Sequence, residues 1–123
     1  MNRKSEKSTR AKGDSFERLA EAFLVREGFR ILERNWQAGH KEIDIVAVKE
    51  NLVAFVEVKG SRSGEYGHPS ERVDHRKREN LIQAAQQYII EHELIGFDFR
   101  FDLITFFEGK LEHYPDAFQM ESD

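Results

Sequence analysis

The chain has 123 residues, enough for one domain that buries on the order of two-thirds of its unfolded surface. It contains no cysteine, which excludes disulfides, thiolate zinc sites and a cysteine nucleophile. Its formal charge of -4 is unevenly spread: residues 1–12 hold five Lys/Arg against Glu6, leaving -8 for the remainder. No run approaches the ~20 apolar residues of a membrane span. MNRKSEKSTRAK also lacks the apolar segment of a secretory signal, so a cytoplasmic protein with no membrane partner is expected.

In chain order, residues 1–12 read as a basic, disordered arm that either contacts phosphates or merely keeps the chain in solution. DSFERLAEAFLVREG then places Phe16, Leu19, Ala20, Phe23 and Leu24 on one stripe of an amphipathic helix that ends at Gly28. FRILERNW reads as a strand, and the segments 43–49 and 52–59 as two more. LIQAAQQYIIEHE is a second helix with Leu81, Ile82, Ala85, Tyr88 and Ile89 facing inward. FDFRFDLITFF alternates Phe97, Phe99, Phe101 and Leu103 with Asp98, Arg100 and Asp102, the pattern of a half-buried strand in which Arg100 and Asp102 form a same-face pair. Glu108-Gly109 turns it into a short last strand at Leu111–Tyr114. The predicted fold is an α/β or α+β sandwich of helices and sheet over residues 13–115, followed by an acidic tail at 116–123.

The central hairpin, EIDIVAVKENLVAFVEVKGSR, carries charges where a core-facing strand would carry Val or Ile. A turn at Glu50-Asn51 pairs positions symmetrically about itself, which sets Asp44 opposite Glu57 and Glu42 opposite Lys59. The two carboxylates then converge on one face with Lys59, while Val56 and Val58 face the other way. Like charges that close need an offsetting cation, and Lys59 supplies only one. The remaining negative charge suits a divalent ion that prefers oxygen ligands, Mg²⁺ first and Mn²⁺ as substitute, of the kind used in phosphoryl transfer. A salt-bridged triad or a solvated edge hairpin accounts for the same spacing.

Asp44, twelve intervening residues, then Glu57-Val58-Lys59 resembles the PD-(D/E)XK nuclease signature, and the predicted element order is similar to the αβββαβ core of that superfamily. Wider stretches, GDSFERLA, GFRILERNW, EIDIVA, VAFVEVK, YGHPSERV, Lys77 and RFDLI, together resemble the YraN-like family, related to Holliday junction resolvases. The resemblance covers about residues 13–107. It implies a restriction-endonuclease-like fold with an extra C-terminal strand. In that family's pattern Asp44, Glu57 and the Val58 carbonyl would be metal ligands, and Lys59 would orient or deprotonate the attacking water. Where the family has Gly before Glu-Ile-Asp this chain has Lys41, and the basic residue expected two places after the lysine is Ser61, with Arg62 displaced by one.

By the same resemblance Glu17 would reach the metal site from the first helix, but Asp14-Ser15-Phe16-Glu17 also reads as a capping box, so two roles compete for one carboxylate. Lys77, flanked by Arg76 and Arg78, together with the loop of residues 60–72 and Arg62, would grip DNA backbone phosphates; surface solvation also explains Arg76 and Arg78. The five histidines show no metal-ligand spacing. The expected function is a Mg²⁺-dependent endonuclease acting on DNA, branched or structured DNA by analogy with resolvases, and a homodimer by the same analogy. The alternatives are a non-catalytic nucleic-acid-binding module of the same fold and an acidic protein-interaction domain.

Overall fold

A computed structural model describes residues 3–61 and 75–119. The elements follow the order helix α1 (Arg3–Arg26), strands β1 (Arg30–Ala38), β2 (Lys41–Lys49) and β3 (Leu52–Ser61), helix α2 (His75–Glu91), and strands β4 (Asp98–Phe107) and β5 (Lys110–Phe118). The five strands form one sheet in the order β1-β2-β3-β4-β5. Every neighbouring pair is antiparallel except β3 and β4, which run parallel because α2 forms the crossover between them. This is an α+β domain with a restriction-endonuclease-like core and one added C-terminal strand. Among the described residues no helix is long and apolar enough to cross a membrane.

The sheet is covered on both faces. On one face Ala20 and Leu24 of α1 pack with Ile45, Ala47, Ala54, Val56 and Ile104. On the other, Leu81, Ala84, Ala85 and Tyr88 of α2 pack with Val46, Val53, Phe55 and Phe101. Burial on both sides overturns the half-buried reading of β4, in which every residue from Phe101 to Phe106 is buried.

Helix α1 ends as its sequence dictates. Gly28, at φ 99°, takes the left-handed conformation that closes the helix, with Gly28 N–H donating to Val25 O at 3.0 Å and Phe29 N–H to Leu24 O at 2.9 Å. Phe29 and Leu24 then pack together in the α1-side core. The start of α1 departs from expectation. It lies at Arg3 rather than Asp14, so residues 3–12, expected as a disordered arm, belong to the helix, and the capping-box role of Asp14 and Glu17 falls. The physical reason is continuity: Lys, Glu, Arg and Ala up to residue 12 favour helix, and a lone Gly13 costs only about 1 kcal/mol. Leu19, expected inside, is 52% exposed. It sits about 100° around the helix from Ala20, at the border of the stripe. At the other end, β5 continues to Phe118, past the point where the acidic tail was expected to begin.

The hairpin register is the predicted one, with Ile45 opposite Val56 and Lys49 opposite Leu52. The turn residue Glu50 has φ 55°. The backbone ladder stops at Ile45–Val56, one position short of Asp44 and Glu57. Strict alternation along β2 is also broken there, because Ile43 falls in the α2-side core and Ile45 in the α1-side core. The strands therefore part at the position that carries the first carboxylate.

Between β4 and β5 the register shifts at Phe101/Leu103, and buried Asp102 stitches the irregularity. Its carboxylate accepts from Arg100 Nε at 2.7 Å and Nη2 at 2.8 Å, from Asp116 N–H at 3.0 Å, and lies 2.8 Å from His113 Nε2. Burial alone would push Asp102 up, but the bonds from His113, Arg100 and Asp116 outweigh it and hold the carboxyl below its ordinary value. Asp102→Ala should leave Arg100 and His113 without this partner and cost about 3 kcal/mol. Thermal melting reads the loss.

Candidate active site

Where β2 and β3 part, a cleft of about 310 Å³ opens between the end of the hairpin and α2. Its wall is built from His40, Lys41, Glu42 and Asp44 on the β1–β2 side, from Glu57, Val58 and Lys59 on β3, and from Lys77, Asn80 and Leu81 on α2. Asp44 replaces the missing backbone pairing: its Oδ2 accepts the Val58 N–H at 2.9 Å. Glu57 and Lys59, two residues apart on β3, share the α2-side face, and Lys59 Nζ lies 3.4 Å from Glu57 Oε1. Val56 and Val58 belong to the α1-side core, as the alternation requires.

Burial and like charge dominate the electrostatics. Desolvation first, then the Glu57 carboxylate, push the Asp44 pKa from 3.8 up to about 8, against the opposing pull of the Val58 N–H. Glu17 and Glu42 add to the rise, so α1 also contributes charge to this site. Glu57 is raised as well, mainly by burial, with Lys77 drawing it back down. Two carboxylates so placed retain one proton between them near neutral pH.

Asp44, Glu57 and Lys59 are thus brought together as expected, and Val58 is on the same wall. Glu17 belongs to the first helix with its Oε1 buried, and its charge is felt at Asp44. Phe16, beside it, stacks on Phe106 at 5.1 Å and presses against Gly60, where a side-chain carbon would overlap its ring. A glycine immediately after Lys59 therefore lets α1 approach the site. Lys77 is in the cleft, 3.5 Å from Glu57 Oε1. Arg76 is exposed and Arg78 is not part of the cleft wall: its guanidinium lies 5.5 Å from the centre of the Phe118 ring. Arg62 and residues 62–74 lie outside the described residues.

Sequence reasoning missed His40, Lys41 and Asn80 as cleft residues. Asn80 and Leu81 carried a usable signal, since they follow Lys77 by three and four positions and share its helical face. His40 and Lys41 did not, because only the parting of β2 from β3 brings the β1–β2 turn to the cleft.

The donor set suits a hard cation. Two carboxylates that cannot both ionise without help, with no sulfur and open room for water, match an ion that takes one or two carboxylates and keeps several waters. Among the described residues no third His, Cys, Asp or Glu forms a metal-holding group with them, and the side chains of the cleft that would hold an ion are Asp44 and Glu57.

Residues 16–106 match the model of a family described as "Uncharacterised protein family UPF0102". A UPF0102 protein of Chloroherpeton thalassium is 46% identical over 93 residues, 76% of this chain and 72% of the relative. One from Persephonella marina is 36% identical over 110 residues, 89% and 95% of the two chains. One from Myxococcus xanthus is 35% identical over 122 residues, 96% and 97% of the two. Their names state the family and no activity.

Proposed function

This chain belongs to the UPF0102 family, the YraN-like group related to PD-(D/E)XK nucleases, and from that premise we propose that it is a Mg²⁺-dependent endonuclease that hydrolyses phosphodiester bonds in DNA. The observation that carries the reading is the Asp44–Glu57 pair, two desolvated carboxyl groups at the edge of an open cleft, with the Glu57 charge raising Asp44 and an Asp44 hydrogen bond lowering Glu57. As a stabilising device the cluster is poor. The Lys59–Glu57 and Lys77–Glu57 contacts, at 3.4 and 3.5 Å with partly exposed lysines, are each worth about 0–1 kcal/mol. Against this gain, burial holds Asp44 far above its ordinary value, so its ionisation costs stability. A site that costs the fold more than it returns is kept for its chemistry.

Asp44 and Glu57 would hold the ion, with Mn²⁺ able to replace Mg²⁺, and the Val58 carbonyl is the nearest main-chain candidate. When bound, the ion supplies Lewis acidity toward a phosphate oxygen and lowers the pKa of water. The Val58 N–H fixes one Asp44 oxygen and so directs the other. Lys59, held as an ammonium beside Glu57, would orient the attacking water and balance charge building on the phosphate, and would take the water's proton only from its neutral form. Lys77 extends the positive wall toward a phosphodiester backbone.

The test is incubation of the protein with linear, single-stranded and branched DNA, with Mg²⁺, with Mn²⁺ and with chelator. Cleavage that requires the ion is expected, strongest on branched DNA. DNA binding with no cleavage on any substrate would replace this reading by the binding module, and neither binding nor cleavage by the protein-interaction domain.

A further inference from the structure

We propose that Lys77 is the phosphate-binding residue of the cleft, held on Glu57 until a divalent cation takes that carboxylate. The inference rests on the metal-site reading above. Lys59 Nζ and Lys77 Nζ approach the same atom, Glu57 Oε1, at 3.4 and 3.5 Å. One oxygen cannot keep both ammoniums once it also coordinates a doubly charged ion, because the new charge repels each of them.

Tether and exposure decide which one leaves. Lys59 stands two residues from Glu57 on the same strand face and is 23% exposed, whereas Lys77 reaches in from α2 and is 49% exposed. Lys77 is therefore the ammonium that moves. Its four-carbon stem lets the charge swing while its backbone stays fixed beside Asn80 and Leu81 in the cleft wall. The neighbouring Arg78 is already stacked on Phe118, so α2 delivers Lys77 to the cleft and Arg78 elsewhere.

The consequence is a linkage. Ion binding releases a phosphate donor, so ion and DNA should each tighten the other's binding, and Lys77 should carry the coupling. The first turn of α2 holds His75, Arg76, Lys77 and Arg78 with no acidic residue, the reverse of what the helix dipole favours, and an anion at Lys77 relieves that cost.

The experiment measures Mn²⁺ binding by calorimetry and binding of a DNA duplex by fluorescence anisotropy across a salt series, for the parent, Lys77→Gln and Lys77→Arg. Lys77→Gln should bind Mn²⁺ alone about 3- to 10-fold more tightly, since a competing cation is gone. The same variant should bind duplex more weakly in Mn²⁺, with a log-log salt slope smaller by about 0.9, and Lys77→Arg should restore the slope. Weaker Mn²⁺ binding in Lys77→Gln, or an unchanged salt slope, would overturn the proposal. If these shifts appear in a protein that cuts no DNA, the role of Lys77 stands and the hydrolytic reading falls. A parent that binds no Mn²⁺ removes both.

Discussion

Replacing Asp44 by Asn, or Glu57 by Gln, is expected to abolish metal-dependent DNA cleavage, a loss of roughly 10³-fold or more, and to remove divalent-ion binding with it. Both residues meet at the cleft where β2 and β3 part, and each supplies a carboxylate that nothing else on the wall duplicates apart from the exposed Glu42. Lys59→Ala should behave differently. It leaves both carboxylates in place, so ion binding persists, while cleavage falls by about 10²- to 10⁴-fold, the range for a positioned proton-transfer or charge-stabilising group. DNA binding without the ion should persist in the carboxylate variants or tighten, because removing a negative charge removes repulsion from phosphate. A purely structural triad gives another pattern: similar losses of melting temperature in all three variants and no effect specific to the ion. Nicking assays, calorimetry and melting curves on the same four proteins separate the two.

The second large effect is on stability against pH. Asp44 has a folded-state value of about 8 against an ordinary 3.8, so between these values the folded protein binds a proton that the unfolded chain has released. That favours folding fully below the ordinary value and is lost as pH rises toward 8. With allowance for the solvent the cleft admits, the loss is about 2 to 3 kcal/mol. An asparagine side chain mimics the protonated acid and keeps an oxygen for the Val58 N–H, so Asp44→Asn should not lose this increment. The melting temperature of the metal-free variant should exceed that of the parent by roughly 10 °C at pH 8.5, and the difference should shrink toward zero near pH 4. Mg²⁺ should stabilise the parent increasingly as pH rises, since the ion replaces the shared proton. Equal pH profiles for parent and variant would show that Asp44 ionises normally in the fold.

How far the sequence reached can be seen residue by residue. The hairpin register was legible because a turn at Glu50-Asn51 and a period of two leave little freedom, and Lys49–Leu52 and Ile45–Val56 pair accordingly. Convergence of Asp44, Glu57 and Lys59 was read by extending that register, although the ladder itself stops at Ile45–Val56. The parting of the strands at Asp44 did not, because it depends on β1 and on which helix covers each face. Lys77 was legible as a basic residue near the site but not as a partner of Glu57, since strand position and helix placement are both tertiary facts. Arg78, identical to its neighbours as a charge on paper, was separated from them by the ring of Phe118, a residue forty positions away.

Asp102 shows the opposite failure. Alternation of charge with Phe suggested one wet face; the Arg100–Asp102 pair it implied is present, but Asp102 is buried and also bound by His113 and the Asp116 N–H, because the sheet is covered on both sides. The capping-box motif at Asp14 failed for a local reason, because helix-forming residues upstream carried α1 past it. Motifs that rest on a single turn are overruled by what lies on either side.

On the proposed function Asp44 and Glu57 share one divalent ion. A crystal of the protein soaked in Mn²⁺ and measured for anomalous scattering tests it directly. A single strong peak is expected within coordinating distance of both carboxylates, with Lys77 turned away from Glu57. No peak in the cleft at saturating Mn²⁺, with Lys59 and Lys77 both still on Glu57, would contradict it.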